Sequence, residues 1–496
     1  MEGGAGCRPR RACRGYTRRC PAGDPAHACG GPDDTAVDAG RGRACDGRGP
    51  GARLMSNDAF EPAADIFRER RALVLDGLGD AAMVLPAAAD ACRRGADPSP
   101  YRPDSEFFYL TGFTEPGSVL VLRGFAESNR SVLFIRPRDA TAELWGGQRL
   151  GPEAARKRLG MDACHPLGEL GQELGTLLKG ANHVFFRLGS DPWVDRLVRG
   201  ALAHARARGA RKGLGPRGVI DPGGILDGMR LRKDAGEVES LRRAAALTIA
   251  GHRVLAGELR PGVGEWELQA SMEAVFRRHG GATPAYPSIV ASGANACVLH
   301  YAENRRRAHA GELVLVDAAA ELGHYCADVT RTYPVDGRFN PDQRAVYEIV
   351  DEARAAAIAA AAPGVPVSSV HGAACGVLTR GLTSLGVVAT SDGRPEESTA
   401  LRRFFPHQTS HWLGLDTHDA GDYAVDGTSR PLEEGMVFTV EPGLYFHEDA
   451  EGSAARFAGI GIRIEDDVLV TASGVENLTA ELPTEASAVE ALVGGR

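Results

Sequence analysis

The sequence predicts an α/β protein in which an N-terminal α/β domain precedes a second domain of mixed helices and strands. With 496 residues, the chain is too long for one typical hydrophobic core. Strand-like apolar runs alternate with helix-like segments between residues 57 and 225, a pattern typical of α/β domains. A Gly- and Pro-rich stretch at 208–224 follows, and helices interleaved with strong strand patterns occupy the remainder. We therefore place the two domains at 57–229 and 230–490.

Each predicted element rests on the spacing of its apolar residues. In the first domain, this spacing predicts helices at 59–75, 152–160 and 168–179. Short apolar and β-branched runs predict strands at 82–86, 118–122, 131–135 and 183–187. In the second domain, helices are predicted from Asp234 onward, at 265–279 and at 341–361.

The first 56 residues differ in composition from the rest of the chain. Between Met1 and Leu54, Tyr16 and Val37 are the only bulky apolar residues. Such a stretch buries too little apolar surface to offset the entropy lost on ordering, so we expect a disordered extension. It also lacks the apolar core of a secretory signal. We interpret Met55 as the biological start; a native peptide from residues 1–54 would contradict this interpretation.

Composition and charge argue against several classes of function. The net charge of −8 disfavours a nucleic-acid partner, which needs a basic surface. Because no apolar run reaches membrane-spanning length, we expect no membrane partner. The ten cysteines include no CxxC pair, which disfavours a zinc ribbon. The five cysteines after residue 54 are scattered singly, which is typical of reduced thiols in a cytoplasmic protein.

Two aspartates indicate a metal site in the second domain. Asp317 ends an apolar strand, and Asp328 begins a strand of alternating pattern. If Leu322 and Gly323 form the turn, with Gly323 supplying the positive φ of a tight hairpin, the two aspartates lie directly opposite each other. Carboxylates so placed repel each other unless a proton or a cation lies between them. The alternative interpretation is two exposed acids near a turn.

A histidine-rich segment follows later in the chain. His407, His411 and His418 fall within twelve residues, and the Gly and Asp content around them argues against a continuous helix. We expect at least one of these histidines to be a metal ligand. The others would hydrogen-bond substrate or relay protons, since imidazole titrates near neutral pH.

Two glutamates lie on late strand-like segments. Glu441 ends an apolar strand that Pro442 stops. Strand alternation places Arg463 and Glu465 on one face of the next strand, where Arg463 would orient Glu465 or a substrate. The alternative for Arg463 and Glu465 is an ordinary surface ion pair.

Together, these segments resemble the metal-dependent proline-specific peptidases of the methionine aminopeptidase clan, and the aminopeptidase P family in particular. The matching strings of the second domain are SIVASGANACVLHY (288–301), LVDAAAELGHYCADVTRTYPV (315–335), HQTSHWLGLDTHDAG (407–421), GMVFTVEPGLY (435–445) and GIGIRIEDDVLVT (459–471). YRPDSEFFYLTGFTEP (101–116) and TAELWGGQRLG (141–151) extend the resemblance into the first domain. Ala319 and Gln408 stand where glycine is commoner in this family, and neither change removes a ligand.

The resemblance implies a pita-bread (α+β, creatinase/aminopeptidase-like) fold for the second domain and a dinuclear metal centre within it. The implied ligands are Asp317, Asp328, His411, Glu441 and Glu465, of which Asp328 and Glu465 would bridge the two metals. Family positions that line the substrate site match His300, His407, His418, Tyr445 and Arg463. Asp97 and Trp145 resemble first-domain residues that complete the site of a neighbouring subunit, so we expect a homodimer or homotetramer.

The implied reaction is hydrolysis of the N-terminal Xaa-Pro bond of peptides by attack of a metal-bridging hydroxide. One imidazole and four carboxylates form an oxygen-rich donor set, which suits Mn²⁺, with Zn²⁺, Co²⁺ and Fe²⁺ as alternatives. Glu441 would also accept the proton of the attacking water. His407 and His418 would stabilise the tetrahedral intermediate or protonate the prolyl nitrogen, and His300 is a further catalytic candidate.

Three alternatives have the same fold. A prolidase, which cleaves only Xaa-Pro dipeptides, has the same metal site, so the ligands do not discriminate it. A non-catalytic pita-bread binding protein and a metal-free creatinase-like enzyme would be expected to have lost ligands. The presence of all five candidate ligands disfavours both of these.

Overall fold

A six-stranded mixed sheet organises the first part of the chain. The computed structural model describes residues 64–88, 100–209, 215–281, 283–389 and 394–495, so the predicted extension at 1–56 lies outside the described residues. The strands are β1 (Ala82–Pro86), β2 (Val119–Arg123), β3 (Ser131–Ile135), β4 (Ala163–Pro166), β5 (His183–Phe185) and β6 (Gly218–Ile220). Their order is β4-β3-β2-β1-β5-β6, with β2 antiparallel to both β1 and β3 and the other pairs parallel.

Helices cover both faces of this sheet. They are α1 (Ala64–Leu78), α2 (Ser105–Thr111), α3 (Ala140–Gly146), α4 (Pro152–Leu159), α5 (Leu170–Leu177), α6 (Pro192–His204) and α7 (Gly223–Leu231). Alternate residues of β1 pack into different cores, as strand geometry requires. Ala82 and Val84 contribute to the core with α5 and α6, whereas Met83 and Leu85 contribute to the core with α1, α2 and α4. The predicted α/β architecture of this region is confirmed.

The second part contains longer helices. These are α8 (Ala235–Glu258), α9 (Glu265–Arg278), α10 (Pro341–Ala360), α11 (Ser368–Ser384), α12 (Thr399–Arg402) and α13 (Ala486–Leu492). α8 begins at a capping box, in which the Asp234 carboxylate accepts from the backbone of Glu237 and the Glu237 side chain accepts from the backbone of Asp234. The sequence patterns do not predict α11. Its Gly381 faces Ile349 of α10 so closely that a Cβ would lie 2.4 Å from the isoleucine, which explains the glycine at this position.

Asp317 ends one of the short strands of the second part, and the other candidate carboxylates lie in the connections between these strands. The strands are β7 (Ile289–Ser292), β8 (Leu313–Asp317), β9 (Glu321–Leu322), β10 (Tyr325–Cys326), β11 (Thr330–Pro334), β12 (Ala424–Val425), β13 (Thr428–Ser429), β14 (Val437–Val440), β15 (Gly443–Tyr445), β16 (Gly461–Arg463), β17 (Asp466–Thr471) and β18 (Gly474–Asn477). The main sheets have the orders β11-β8-β7 and β14-β17-β18, and β15 pairs with β16. The largest hydrophobic core lies beneath them, among α8 to α11.

A second hydrophobic core joins the first part of the chain to the second. It contains Phe107 of α2 together with Leu413, Val437 and Leu469, which flank the candidate site. The first part is therefore packed directly against the segments that carry the site. None of the described helices is both long and apolar enough to cross a membrane. The domain boundaries at 229 and 230 stay a prediction.

Candidate metal centre and substrate cleft

The hairpin of β8 and β11 carries the two aspartates. Asp317 lies opposite Thr330, and Leu322 lies opposite Tyr325, so the predicted pairing of Asp317 with Asp328 is wrong by two residues. The reason is the turn, which is formed by Gly323 and His324 with φ values of 59° and 71°. Positive φ at both central residues is typical of a type I′ hairpin. A shift of two residues preserves the side that a strand residue faces, so both aspartates still face one side.

A tyrosine that the sequence patterns do not single out joins the two aspartates. The hydroxyl oxygen of Tyr286 lies 2.7 Å from Asp317 Oδ1 and 2.5 Å from Asp328 Oδ1. Burial and the charges of the two aspartates raise the pKa of Tyr286 well above its usual value, so the hydroxyl stays protonated and donates. Its position two residues before the segment at 288–301 is the only signal by which the sequence could have indicated it.

Three of the candidate ligands form a compact group. One ligand atom from each of Asp328, His411 and Glu465 lies within 4.8 Å of the others. His411 Nε2 is 3.3 Å from Asp328 Oδ2, while His411 Nδ1 is 3.1 Å from the carbonyl of Trp412. The Trp412 carbonyl can only accept, so Nδ1 is the donor and Nε2 faces the carboxylates.

Glu441 and Glu465, together with Asp317 and Asp328, form an acidic cluster. Glu441 follows β14 and its Oε1 lies 3.8 Å from His411 Nε2, and Glu465, between β16 and β17, accepts from Thr330 Oγ1 at 2.6 Å. Burial raises the pKa of Glu441 to about 7 and that of Glu465 well above its usual value; neighbouring carboxylates act in the same direction. Buried carboxylates of this kind ionise readily only beside added positive charge.

A hydrogen-bonded chain extends from Asp317 toward the cleft. The Arg463 guanidinium donates to Asp317 Oδ2 at 2.5 Å and to the Tyr445 hydroxyl at 2.9 Å. His407 Nε2 lies 2.9 Å from that same hydroxyl. Burial, followed by the charge of Arg463, lowers the pKa of His407 to about 3, so this imidazole is neutral. The surface-pair alternative for Arg463 and Glu465 is wrong, because Arg463 is buried and pairs with Asp317.

Two further histidines line the cleft. The His418 ring packs against the His411 ring with centroids 4.4 Å apart, and burial and His411 lower the pKa of His418. His300 is exposed and borders the same cavities as His418. The structure therefore brings His300, His407 and His418 around the acidic cluster, together with Tyr445 and Arg463.

Known proteins resemble this chain over most of its length. Residues 239–472 match the model of metallopeptidase family M24, and residues 67–185 match that of the aminopeptidase P N-terminal domain. The chain is 42% identical to the Xaa-Pro aminopeptidase of Escherichia coli (strain K12) over 430 residues, which cover 86% of this chain and 97% of the relative. The chain belongs to the aminopeptidase P family.

Solved structures agree with this membership. Proline aminopeptidase P II from Yersinia pestis superposes with a TM-score of 0.83 at 40% identity, covering 87% of this chain and all of that one. E. coli aminopeptidase P with the inhibitor Pro-Leu superposes with a TM-score of 0.82 at 41% identity, covering 88% of this chain and 99% of that one. The second part therefore has the pita-bread fold of the family, whose members are metallo-exopeptidases acting with divalent metal ions on N-terminal Xaa-Pro peptides.

Two cavities meet at the acidic cluster of this chain. One, of about 730 Å³, continues from Asp317 and Glu441 past His407 toward Val367 and Tyr423. The other, of about 690 Å³, lies on the side of Tyr286. A cleft that is open on both sides of the reacting centre can hold a peptide that extends beyond the bond to be cleaved.

Trp145, a predicted substrate residue, does not join this cluster. Trp145 lies on α3 with 86% of its surface exposed, so within this chain it contributes nothing to the cleft. Asp97 lies outside the described residues. His371, which the sequence patterns do not indicate, lines the larger cavity and lies 2.8 Å from Thr409 Oγ1 through its Nδ1.

Proposed function

We propose that this chain removes the first residue of peptides whose second residue is proline, using two divalent metal ions. The proposal rests chiefly on the convergence of Asp317, Asp328, His411, Glu441 and Glu465 on one side of a large cleft. These residues fit a dinuclear centre. Four carboxylates outnumber the one nearby guanidinium that pairs with them, and burial raises the pKa of two of them. Two dications would balance four carboxylates.

The donor set favours a hard or borderline ion. Four carboxylates and one imidazole, with no thiolate, suit Mn²⁺ better than a soft metal, with Zn²⁺, Co²⁺ and Fe²⁺ as alternatives. When bound, two such ions would lower the pKa of the attacking water and polarise the scissile carbonyl. Mn²⁺ is therefore our proposal for the native metal, which elemental analysis of protein purified without added metal tests.

Residues of the chain itself then transfer protons and orient the substrate. Glu441, at the edge of the cluster with 18% of its side chain exposed, accepts the proton from the attacking water. The prolyl nitrogen leaves as a secondary amine and must gain a proton. His418 faces the cleft and passes to this nitrogen the proton that Glu441 accepted from the water. Neutral His407 donates from Nδ1 to the carbonyl of Gln408 and accepts at Nε2 from the Tyr445 hydroxyl, so it holds that hydroxyl in place beside the cleft.

The cleft also bears on the choice between an aminopeptidase and a prolidase. Its larger cavity, of about 730 Å³, falls within the range of pockets that enclose drug-sized ligands. It continues beyond the residues nearest the acidic cluster to Ser368 and Ser429. This extension provides room for residues that follow proline, which a dipeptide does not have.

The decisive experiment compares a dipeptide with longer peptides. Gly-Pro, Gly-Pro-Ala and a pentapeptide beginning with Gly-Pro are incubated with the purified, Mn²⁺-loaded chain, and kcat/KM is measured for each. We expect the longer peptides to be cleaved after the first residue and Gly-Pro to be a poor substrate. Preferential cleavage of Gly-Pro would show a prolidase instead. Gly-Ala-Ala serves as the control for proline preference.

Two further proposals concern assembly and location. Trp145 is exposed on α3, as expected of a residue that reaches a neighbouring subunit, so we propose a homodimer or homotetramer. Sedimentation equilibrium tests this proposal, and a monomer at assay concentration would contradict it. Cys164, Cys297, Cys326 and Cys375 are unpaired, which is typical of a cytoplasmic protein. Cell fractionation tests the cytoplasmic location.

A further inference from the structure

His418 lies where three cavities meet. It borders the cavities on both sides of the acidic cluster and a third, of about 460 Å³, that is lined by residues from the first part of the chain. The segment around it has no regular secondary structure. Its hydrogen bonds to the first part of the chain are made by Leu415, Asp416 and Asp419, on either side of the histidine. The position of the imidazole therefore depends on what holds its neighbours.

Arg102 holds the segment on the side before His418. Its guanidinium donates to the carbonyl of Leu415 and, at 3.0 Å, to Ser105 Oγ. The Ser105 hydroxyl in turn donates to Asp416 Oδ1 at 2.7 Å, and Arg102 itself lies 3.5 Å from that carboxylate oxygen. Both Arg102 and Ser105 lie in the region that matches the aminopeptidase P N-terminal domain.

The same guanidinium also reaches the hairpin that carries the two aspartates. Arg102 Nε donates to Glu321 Oε2 at 2.8 Å, and its Nη2 lies 3.4 Å from the carbonyl of His324 in the turn. One side chain from the first part of the chain therefore joins the aspartate hairpin to the histidine segment. A lysine could not make these contacts together, because the guanidinium directs several donors in one plane whereas an ammonium is a point charge.

A second anchor holds the segment after His418. The Asp419 carboxylate pairs with Lys233 at 3.0 Å and with Arg230, and Arg230 also pairs with Asp416 at 2.7 Å. Lys233 and Asp419 are almost fully buried, whereas 34% of the Arg102 side chain is exposed. Loss of the Asp419 carboxylate would therefore lower the stability of the folded chain. Loss of the Arg102 side chain would free the carbonyl of Leu415, while Ser105 and Arg230 would still hold Asp416.

We propose that Arg102 is a positioning residue that sets the place of His418 relative to the metal centre. The proposal rests on the proposed catalytic role of His418. A displacement of about 1 Å at a catalytic group can cost roughly 10²-fold in rate. Arg102→Lys should therefore lower kcat by roughly that factor, while the metal content and the thermal midpoint stay close to those of the original chain.

A double-mutant cycle tests whether Arg102 acts through His418. Arg102→Lys, His418→Ala and the double variant are assayed as Mn²⁺-loaded full chains on Gly-Pro-Ala. If Arg102 acts through the imidazole, Arg102→Lys costs little, about twofold or less, once His418 is absent. Ser105→Ala removes one contact to Asp416 and leaves the guanidinium in place. It should lower kcat less than Arg102→Lys does, and this effect should likewise become small when His418 is absent.

The outcomes separate this proposal from the proposed function. If Arg102→Lys lowers kcat by the same factor with and without His418, its role is generally structural and the proposal is overturned. An unchanged kcat in Arg102→Lys would also overturn the proposal. An active chain that is insensitive to His418→Ala would remove its basis but leave the peptidase activity standing. Absence of all Xaa-Pro cleavage by the original chain would overturn the proposed function itself. Arg242→Lys is the matched control, because Arg242 pairs with Glu476 at 2.7 Å away from the cleft.

Discussion

Arg463 donates to the Asp317 carboxylate at 2.5 Å, and both side chains are buried. The same guanidinium donates to the Tyr445 hydroxyl, which lies 2.9 Å from His407 Nε2. Arg463 therefore couples a proposed metal ligand to a proposed substrate histidine. A change at Arg463 should affect both the ligand and the histidine.

Arg463→Lys should lower kcat/KM for Gly-Pro-Ala by about 10- to 100-fold, the usual cost of losing a side chain that orients a metal ligand. Lysine keeps the positive charge but cannot bond Asp317 and Tyr445 in the fixed geometry of a guanidinium. Steady-state kinetics on the Mn²⁺-loaded protein measure the effect, with circular dichroism to check the fold. Arg242→Lys, at an exposed ion pair, should leave kcat/KM nearly unchanged. Full activity of Arg463→Lys would refute the coupling.

Removal of metal should lower the thermal stability of the chain. In the metal-free protein, burial and the charge of Asp328 raise the pKa values of Glu441 and Glu465, and the neighbouring cations His411 and Arg463 offset only part of this effect. A ligand present at 100 times its dissociation constant stabilises the folded state by about 2.7 kcal/mol. Thermal unfolding with excess EDTA and after Mn²⁺ is restored measures the difference. An unchanged midpoint would argue against a metal at this cluster.

Tyr286→Phe should weaken metal binding. The phenolic hydroxyl contacts both Asp317 and Asp328, so its loss frees both carboxylates to reorient. We expect metal affinity or kcat/KM to fall by about 10- to 100-fold. Isothermal titration with Mn²⁺ gives the affinity. Tyr347→Phe is the control, since Tyr347 is also buried and donates one hydrogen bond, to the carbonyl of Thr484, outside the cleft. Equal effects of the two changes would indicate a general loss of stability.

The sequence patterns locate the acidic hairpin but misplace its pairing, and the reason is local. Asp317 is identified as the acid that ends an apolar run, and Asp328 as the acid that begins an alternating run. Register depends on which residues accept positive φ, and His324 does so beside Gly323. A non-glycine residue with positive φ is uncommon, so the sequence alone favours a turn one residue earlier.

Contacts between distant segments are not visible in local patterns. Tyr286 precedes the aspartates by more than thirty residues along the chain, and no periodicity relates them. The bonds of Arg102 to Glu321 and to Leu415 span more than two hundred residues each. The resemblance to the family predicts the ligand positions although they are far apart in the sequence. The hydrogen bonds that orient those ligands are seen only in the folded structure.

Glu441→Gln should abolish turnover and leave the fold intact. The amide has nearly the same shape, and the backbone bond from Glu441 to the Thr409 carbonyl, 2.8 Å long, is unaffected. Loss of a general base costs about 10²- to 10⁴-fold in rate. Hydrolysis of an Xaa-Pro-Xaa peptide measures the loss, and Glu433→Gln, at an exposed pair with Arg232, serves as control. Near-normal hydrolysis by Glu441→Gln would refute the role.

Asp419→Asn should destabilise the chain by about 3–5 kcal/mol at pH 7, because it leaves Lys233 buried without its carboxylate and leaves Arg230 paired with Asp416 alone. Burial acts to raise the pKa of Asp419, but Lys233 and Arg230 outweigh it and lower the pKa below the usual 3.8. A lowered pKa in the folded state contributes stability that is fully present above the unfolded pKa and is lost as pH falls through the folded pKa.

The difference in unfolding free energy between the original chain and Asp419→Asn should therefore stay constant from pH 7 down to about pH 5 and shrink below about pH 4. Urea unfolding at closely spaced pH values measures this difference. Asp76→Asn, at an exposed carboxylate 3.8 Å from Arg130, should change stability by less than about 1 kcal/mol throughout. A negligible difference in unfolding free energy at pH 7 would show that the Asp419 carboxylate does not stabilise the folded chain.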